Sequence, residues 1–395
     1  MKKHKEYTKK EFLLVTYLIL ISGCFILDKP IITGLTGVVF FFYSIIIRKD
    51  SAQRAMLWKY LFFLCFIFIC QYFTFNFIST LGSLNVLAKV ITGSTIMWML
   101  KDRFRKIYLD AMFFFSVVSL VFFTLEYIGI KTPDLFPTTP NRNSILIFNS
   151  LNIQELRNCG PFWEPGAFAC YLMLVPLLYI DNLKSFVTEN KKKAIVLLIA
   201  LITTFSTTGY ICLFTLVIYY YMTQTKNKFV SYIIYLPLII GALLYAYNNL
   251  DFMGSKMQEQ TESSLEENGE FSNTRLGSLI FDMYYIKKHP LVGNGLNERT
   301  RYADHPFLWG EILGHGNAFS NYAAQMGVIA LIVYFVLLYY AFGNKLIVPI
   351  IVALLFQGEQ LMNYPLYPSL PFIILGFKNC ISFKKTYNVQ HYENP

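Results

Sequence analysis

The residues that could do chemistry lie in two polar segments of an otherwise apolar sequence. Residues 248–316 contain Arg275 and His315, and the earlier segment RNCGPFWEPGAFA contains Arg157 and Glu164. Arginine binds anionic oxygens through a planar, permanently charged fork. Histidine or a carboxylate can accept a proton near neutral pH. The residue types therefore allow anion binding combined with proton transfer.

Several of these charged residues also have plainer explanations. Glu164 stands where a helix should begin, so it could cap that helix, pair with Arg157 or accept a proton. Arg299 and Arg301 could steer an anionic substrate or face the membrane. Lys89 lies within an apolar block, where ionisable residues are functional candidates, but its amine could also reach the interface.

The amino-acid composition indicates that the chain is embedded in a lipid bilayer. Of the 395 residues, 55% are hydrophobic, 17% aromatic and 15% charged, a balance that soluble domains of this length do not show. The apolar residues form blocks of roughly 15 to 25, the length of a helix that crosses hydrocarbon. Because backbone groups in lipid must be satisfied within the segment, the blocks are helices. The sequence predicts an all-α polytopic membrane protein, with residues 1–395 as one integral membrane domain.

The net charge of +10 comes largely from short basic clusters at the ends of apolar blocks. This is the positive-inside pattern, which places both termini in the cytoplasm. A tail that binds nucleic acid would need a longer basic run, so no nucleic acid partner is predicted. Two segments are then external, a loop at 131–165 and a larger loop at 248–316.

About twelve transmembrane helices are predicted, with the large loop between helices 9 and 10. They lie near 11–27, 31–47, 58–78, 85–100, 107–130, 166–181, 194–222 (two short helices), 229–247, 317–342, 346–358 and 365–378. The block at 194–222 is too long for one span, and STTG at 206–209 breaks it. Helix ends at such a depth face protein or a water-filled cavity, so we expect a polar vestibule there.

The external loops differ in character. Proline and asparagine make most of 131–165 irregular. The acidic first half of 248–316 is a solvated surface segment, whereas apolar residues recur at helical spacing over 275–288 and predict an amphipathic helix on the membrane face. HPLVGNG then forms a turn. No nucleotide-binding glycine loop, zinc motif or acidic metal cluster is visible, so no cofactor or metal is predicted.

These motifs, in this order, resemble the O-antigen ligase and polymerase superfamily, the Wzy-type enzymes. The shared features are an arginine that opens a loop helix, HPLVGNG, and His315 and Asn317 at a helix start with Gly327 further on. RNCGPFWEPGAFA is similar to the arginine and Trp-Glu-Pro-Gly segment of the polymerase branch, and STTG resembles its Ser-x-x-Gly break. Thr207 and Thr208 stand where many relatives have a basic residue, which removes one phosphate ligand.

The resemblance implies a GT-C-like glycosyltransferase of the bacterial inner membrane with its active site facing the periplasm. Such enzymes move an oligosaccharide from an undecaprenyl diphosphate carrier to a sugar hydroxyl without nucleotide or metal, here with expected inversion. The implied partners are undecaprenyl-diphosphate-linked glycans, membrane lipid and a chain-length regulator protein. Arg157 and Arg275 would bind the diphosphate, and His315 would act as base or orient the acceptor. Glu164 is a further catalytic candidate and Lys89 a further diphosphate ligand.

The Trp-Glu-Pro-Gly segment favours a polymerase that extends a surface polysaccharide, namely O-antigen, capsule or exopolysaccharide. A ligase that transfers polysaccharide to lipid A core is the closest alternative. A flippase or transporter of lipid-linked oligosaccharide is the alternative of another class. Transport predicts charge at mid-bilayer and related halves, whereas here the charge sits in an external loop. A structural subunit of an export complex is a third alternative.

Overall fold

The computed structural model describes residues 7–24, 27, 29–46, 51–130, 142–145, 147–152, 156–224, 275–308 and 317–373. These residues are mostly helical and include one small β-sheet. The helices are α1 (Lys9–Ile21), α2 (Pro30–Ile46), α3 (Ser51–Phe75), α4 (Thr80–Leu100), α5 (Arg103–Tyr127), α6 (Pro165–Leu178), α7 (Leu183–Glu189), α8 (Lys191–Thr203), α9 (Thr207–Gln224), α10 (Arg275–Lys288), α11 (Glu298–Arg301), α12 (Ala318–Met326), α13 (Val328–Ala341), α14 (Ile347–Gly358) and α15 (Leu366–Ser369). The strands are β1 (Arg142–Ile145), β2 (Phe148–Asn152) and β3 (Leu156–Gly160), and short 3-10 turns lie at Pro306–Leu308, Leu361–Asn363 and Leu370–Phe372.

Within the described residues, three helices are long and apolar enough to cross a membrane. They are Ala55–Phe75 in α3, Thr80–Leu100 and Arg103–Tyr127, and a fourth span results if α6 and α7, bent by 106°, count as one. Large apolar side chains such as Phe62 and Phe66 of α3 are exposed, as lipid-facing residues are. The chain is therefore an α-helical membrane protein. The count of about twelve spans and the GT-C-like architecture stay predictions.

The helices fall close to most of the predicted blocks, but two predicted helices differ. Over its described residues, the predicted helix at 365–378 is the four-residue helix α15 followed by a 3-10 turn at Leu370–Phe372. The predicted helix at 317–342 is two helices, because Gly327 adopts a φ of +88° between α12 and α13. A Cβ at Gly327 would lie 2.1 Å from the carbonyl oxygen of Leu291, so the break lets the HPLVGNG turn approach the backbone. The predicted helix at 229–247, the acidic part of the large loop and the end of the last helix lie outside the described residues.

Helix α6 is the buried centre of the fold. Every residue of α6 except Pro176 is buried, as expected for a helix that is apolar on all sides. It packs against β3, α5, α8, α9 and α14. The Phe162 ring, just before the helix, stacks on Tyr171 with centroids 4.2 Å apart. The segment that enters α6 is consequently held firmly.

A small β-sheet, which the sequence analysis did not predict, lies within the segment 131–165, while the described residues as a whole are mainly α-helical. The strands form an antiparallel sheet in the order β1-β2-β3. Side chains of two asparagines hold the sheet against neighbouring segments through hydrogen bonds. Asn149 Nδ2 donates to the carbonyls of Gly160 (3.2 Å) and Phe162 (2.9 Å), and Asn158 Nδ2 donates to the hydroxyl of Thr203 at 3.1 Å. Asparagine is a poor strand former, so these tertiary bonds had no signal in the local pattern.

Candidate active site

The break between α8 and α9 lies where STTG predicts it and is packed against protein. Helix α8 ends at Thr203 and α9 begins at Thr207. A Cβ at Gly209 would lie 2.8 Å from Cβ of Ala169 in α6, and one at Gly358 would lie 2.7 Å from the Thr208 hydroxyl. The start of α9 therefore touches the start of α6 and the end of α14, and the three helix ends meet at one place.

Arg157 in β3 binds this break directly. Its Nε donates to the carbonyl of Thr204 at 3.1 Å, and its Nη2 donates to the carbonyl of Phe205 at 2.8 Å. Both carbonyls lie just past the end of α8, where a cation complements the helix dipole. Burial lowers the pKa of the Arg157 guanidinium, and the charge of Arg275 lowers it further. The predicted diphosphate ligand is thus a part-buried arginine on a helix end.

The Trp-Glu-Pro-Gly segment connects β3 to α6. Glu164 occupies the N-cap position of α6 in extended conformation, but its carboxylate makes no capping hydrogen bond. Pro165 follows at the first helical position, which suits proline because its missing N–H would have no partner there. Trp163 Nε1 donates to Oε2 of Glu359 at 3.2 Å. Its ring stacks on Tyr364 with centroids 4.4 Å apart.

Glu359, which sequence reasoning missed, is the residue on which this segment converges. It follows the last residue of α14, and its side chain is only 4% exposed. Oε1 lies 3.8 Å from Nη2 of Arg275 and, within the described residues, has no hydrogen-bond partner. Burial raises the pKa of Glu359 to about 8, the charge of Glu164 raises it as well, and Arg275 opposes the shift. The carboxyl group can therefore gain or lose a proton near neutral pH.

A signal for Glu359 did exist in the sequence. The residue ends an apolar helix and precedes a polar, proline-rich stretch, QGEQLMNYP. Ionisable residues in apolar surroundings are functional candidates by default. Glu359 meets this criterion as Lys89 does. Its partner Trp163 is distant in sequence, so the pairing itself could not be read from spacing.

Arg275 completes the group, which we name the Arg–Glu cluster and define as Arg157, Glu164, Arg275 and Glu359. Arg275 begins α10, whose bounds, Arg275–Lys288, match the predicted amphipathic helix. Its side chain is 32% exposed, so it lies between the buried carboxyl group and the surface. The charges of Arg275, Glu164 and Glu359 all act on Arg157. The structure thus brings together the predicted residues Arg157, Glu164 and Arg275, although their roles stay predictions.

Gly166 makes room for the cluster, which gives a first testable prediction. A Cβ at Gly166 would lie 2.0 Å from Oε1 of Glu359. We therefore expect Gly166→Ala to displace the carboxyl group, lower the free energy of unfolding by about 1–3 kcal/mol and weaken donor binding. Thermal unfolding in detergent and donor KM are the measurements.

The matched control is Gly34→Ala in α2, where an added Cβ meets nothing within 4 Å. Alanine favours a helix over glycine by about 1 kcal/mol, so this variant should be no less stable than the parent. Equal destabilisation by both alanines would show that Gly166 has no special packing role.

Two further predicted site residues are His315 and Lys89. His315 is outside the described residues. Asn317, the first described residue after it, caps α12 by accepting from Ser320 N at 3.1 Å and donates from Nδ2 to Gln357 Oε1 at 2.6 Å. Lys89 in α4 lines a separate cavity, whose wall includes Gln360. The structure therefore sets Lys89 beside the cluster rather than in it.

Arg301 is a buried structural residue. It is 1% exposed and forms an ion pair with Asp282 of α10, which is also buried. Ser320 Oγ donates to the same carboxylate at 2.5 Å, and the Arg301 guanidinium lies 4.8 Å from the ring centroid of Tyr285. Burial raises the pKa of Asp282 to about 6, and the charge of Arg301 opposes that rise. This pair joins the loop helices to α12, so Arg301 takes neither the substrate-steering nor the membrane-facing role considered above.

Chemically, the cluster presents two guanidinium groups and two carboxyl groups at the end of a broken helix. Guanidinium groups bind phosphate oxygens in pairs and stabilise charge that grows on a leaving group. In the part of the chain described, no group of three or more histidine, cysteine, aspartate or glutamate side chains could hold a metal ion. The arrangement can therefore bind a diphosphate and exchange a proton near it.

Comparison with known proteins agrees with the motifs. No curated protein and no solved structure matched the chain. One family model matched, that of the O-antigen ligase family (Wzy_C). The match runs from α8 to α14 and includes Arg275 and His315, while Arg157 and Glu164 precede it and Glu359 follows it. Residues 194–356 of this chain match the O-antigen ligase family, which confirms the resemblance to the O-antigen ligase and polymerase superfamily.

Proposed function

We propose that this protein is a glycosyltransferase that polymerises undecaprenyl-diphosphate-linked repeat units into a surface polysaccharide. The observation that carries the proposal is the meeting of Arg157 and Arg275 with the buried Glu359 at the break between α8 and α9. The family match covers the same break and the same loop helix. In this proposal the site faces the periplasm, and the growing chain moves onto a new lipid-linked unit.

The reaction follows from the groups present. An acceptor hydroxyl oxygen attacks the anomeric carbon, and the bond from that carbon to the diphosphate oxygen breaks. The hydroxyl proton passes to His315, which we propose as base, and the electron pair leaves with the lipid diphosphate. Arg157 and Arg275 stabilise the charge that develops on the diphosphate. Attack opposite the departing diphosphate inverts the anomeric carbon.

A ligase is the second candidate, because the matching family is described as O-antigen ligase. The two activities differ in acceptor, so the test offers purified protein in vesicles either a second lipid-linked repeat unit or lipid A core. We expect glycans that lengthen on the lipid-linked acceptor, and no lengthening with His315→Ala. Transfer to lipid A core alone would show that the protein is a ligase and not a polymerase.

The acidity of Glu359 gives a pH prediction. Below pH 8 its carboxyl group is mostly neutral, so it does not compete with the diphosphate for the guanidinium group of Arg275. As pH rises through about 8 the carboxylate forms, competes for Arg275 and repels the donor. We expect the donor KM of the parent to rise by up to about tenfold per pH unit above this pKa.

The comparison variant is Glu359→Gln, whose amide keeps the shape of the neutral carboxyl group and does not titrate. Its donor KM should stay level across pH 7–9, while changes in the substrate's own ionisation affect parent and variant alike. The same rise in both proteins would show that Glu359 does not control donor binding.

A further inference from the structure

A polar cavity lies near the Arg–Glu cluster, because its wall includes Gln360, the residue that follows Glu359. We name it the amide cavity; its wall includes Tyr60 of α3, Asn85 and Lys89 of α4, Asn321 and Gln325 of α12, and Gln360. Its volume is about 210 Å³, below the range of about 300–1,000 Å³ that drug-sized ligands occupy. The cavity can therefore hold one small group and not a whole oligosaccharide.

The wall presents polar atoms that the protein itself does not satisfy. Among the described residues, Asn85 Oδ1, Asn321 Oδ1 and Gln360 Nε2 are buried without a hydrogen-bond partner. An unmatched buried amide atom destabilises a fold, and such atoms are uncommon in proteins. Three on one wall indicate that the cavity is shaped for a polar occupant.

The orientation of the amides does not alter this conclusion. Asn321 Nδ2 donates to Gln360 Oε1 at 3.1 Å. If both amides were turned over, Gln360 would donate to Asn321 and the bond would remain. The pair would then leave one donor and one acceptor unmatched, as it does now. The cavity offers both kinds of hydrogen bond in either case.

The chemistry of the lining suits a sugar ring. Amides supply donors and acceptors together, as hydroxyl groups require, and Tyr60 and Tyr322 add two phenols whose oxygens are 3.3 Å apart. The rest of the wall is mainly apolar and includes Leu64 and Val86. A diphosphate calls for paired guanidinium groups, and the arginines of this site lie in the Arg–Glu cluster.

The position of the cavity connects it to the reaction. Gln360 follows Glu359 directly in sequence, so one short segment carries a wall residue of the cavity and the buried carboxyl group of the cluster. We propose that the amide cavity binds a single monosaccharide ring of the substrate glycan through its hydroxyl or acetamido groups. This inference rests on the proposed glycosyltransferase function and assigns Lys89 to sugar binding.

Asn85→Leu tests the proposal, because leucine has a similar volume and no hydrogen-bonding atom. With defined lipid-linked repeat units, we expect the KM for either donor or acceptor to rise about tenfold, the effect of losing one good hydrogen bond, with kcat unchanged. Varying one substrate while the other is saturating shows whether the ring belongs to donor or acceptor. Asn85→Ala, which also has no hydrogen-bonding side-chain atom, should give the same KM change if the leucine variant does not fold.

The matched control is Asn190→Leu, the same chemical change at a residue whose side chain makes no capping hydrogen bond on α8. It should leave both KM values as in the parent. Unchanged KM values in Asn85→Leu and Asn85→Ala, together with equal or higher thermal stability in Asn85→Leu, would mean that the cavity holds only water and would overturn the proposal.

A second readout does not depend on transfer. Saturation-transfer NMR of the detergent-solubilised full chain with glucose, galactose and N-acetylglucosamine should show binding of at least one sugar that Asn85→Leu weakens and Arg275→Ala does not. Such binding without any glycosyl transfer would retain the sugar site and reject the proposed function. Glycosyl transfer whose KM, like sugar binding, is the same in the parent and in Asn85→Leu would retain the proposed function and reject the sugar site.

Discussion

Arg275→Ala is expected to lower the rate of glycosyl transfer about 100- to 1,000-fold, the effect of removing one donor that stabilises developing charge. Arg275 stands one-third exposed beside the buried Glu359, where a guanidinium group can reach a diphosphate from the surface. Arg275→Lys should recover only part of the rate, because an ammonium group cannot form the paired hydrogen bonds of the fork. Initial rates with purified protein and saturating acceptor measure the effect.

The control for that loss is Arg299→Ala, which removes an exposed arginine from the same segment of the chain, residues 275–308. Its transfer rate should stay within about twofold of the parent, since exposed charges contribute little. If Arg275→Ala and Arg299→Ala lowered the rate equally, the effect would belong to general positive charge and not to the Arg–Glu cluster. Thermal unfolding of both variants verifies that each remains folded.

Arg301→Met is expected to lower the free energy of unfolding by about 3–5 kcal/mol, because it removes the cation that compensates the buried carboxylate of Asp282. The loss should be smaller at pH 5 than at pH 8, because the pKa of Asp282 is about 6 in the parent and rises further without Arg301, so at pH 5 the carboxyl group is mostly neutral in both proteins. Denaturant or thermal unfolding in detergent at the two pH values measures this difference.

The double variant Asp282→Leu with Arg301→Met separates the two contributions. Replacing both ions of a buried pair by apolar residues is often neutral or stabilising, so most of the lost stability should return. If the double variant were as unstable as Arg301→Met alone, the loss would come from packing around Tyr285 and Tyr302 and not from a buried carboxylate that has lost its cation.

The parts of the structure that sequence predicted are those that depend on local patterns. Apolar periodicity with polar ends gave α10 with the observed bounds, and the length of the block at 194–222 required the break that the structure shows. Basic loops and apolar blocks placed the first five helices. In each case the signal lies within about 25 residues.

The parts that sequence did not predict depend on contacts between distant residues. Glu359 is held by Trp163 and approached by Arg275, and neither partner is near it in the chain. The sheet at 142–160 is anchored by asparagines to α5 and α8. Gly327 bends the chain because Leu291 lies against it. Such pairings follow from tertiary packing, which overrides local propensity.

The central claim is that the Arg–Glu cluster transfers a glycan rather than moving one across the membrane. The direct measurement uses sealed vesicles that contain the protein and one defined lipid-linked repeat unit, with product length and released lipid diphosphate followed together. We predict one released lipid diphosphate for each new glycosidic bond, and neither product with Arg275→Ala. Movement of the intact lipid-linked unit across the bilayer, without bond formation under any acceptor, would contradict the account.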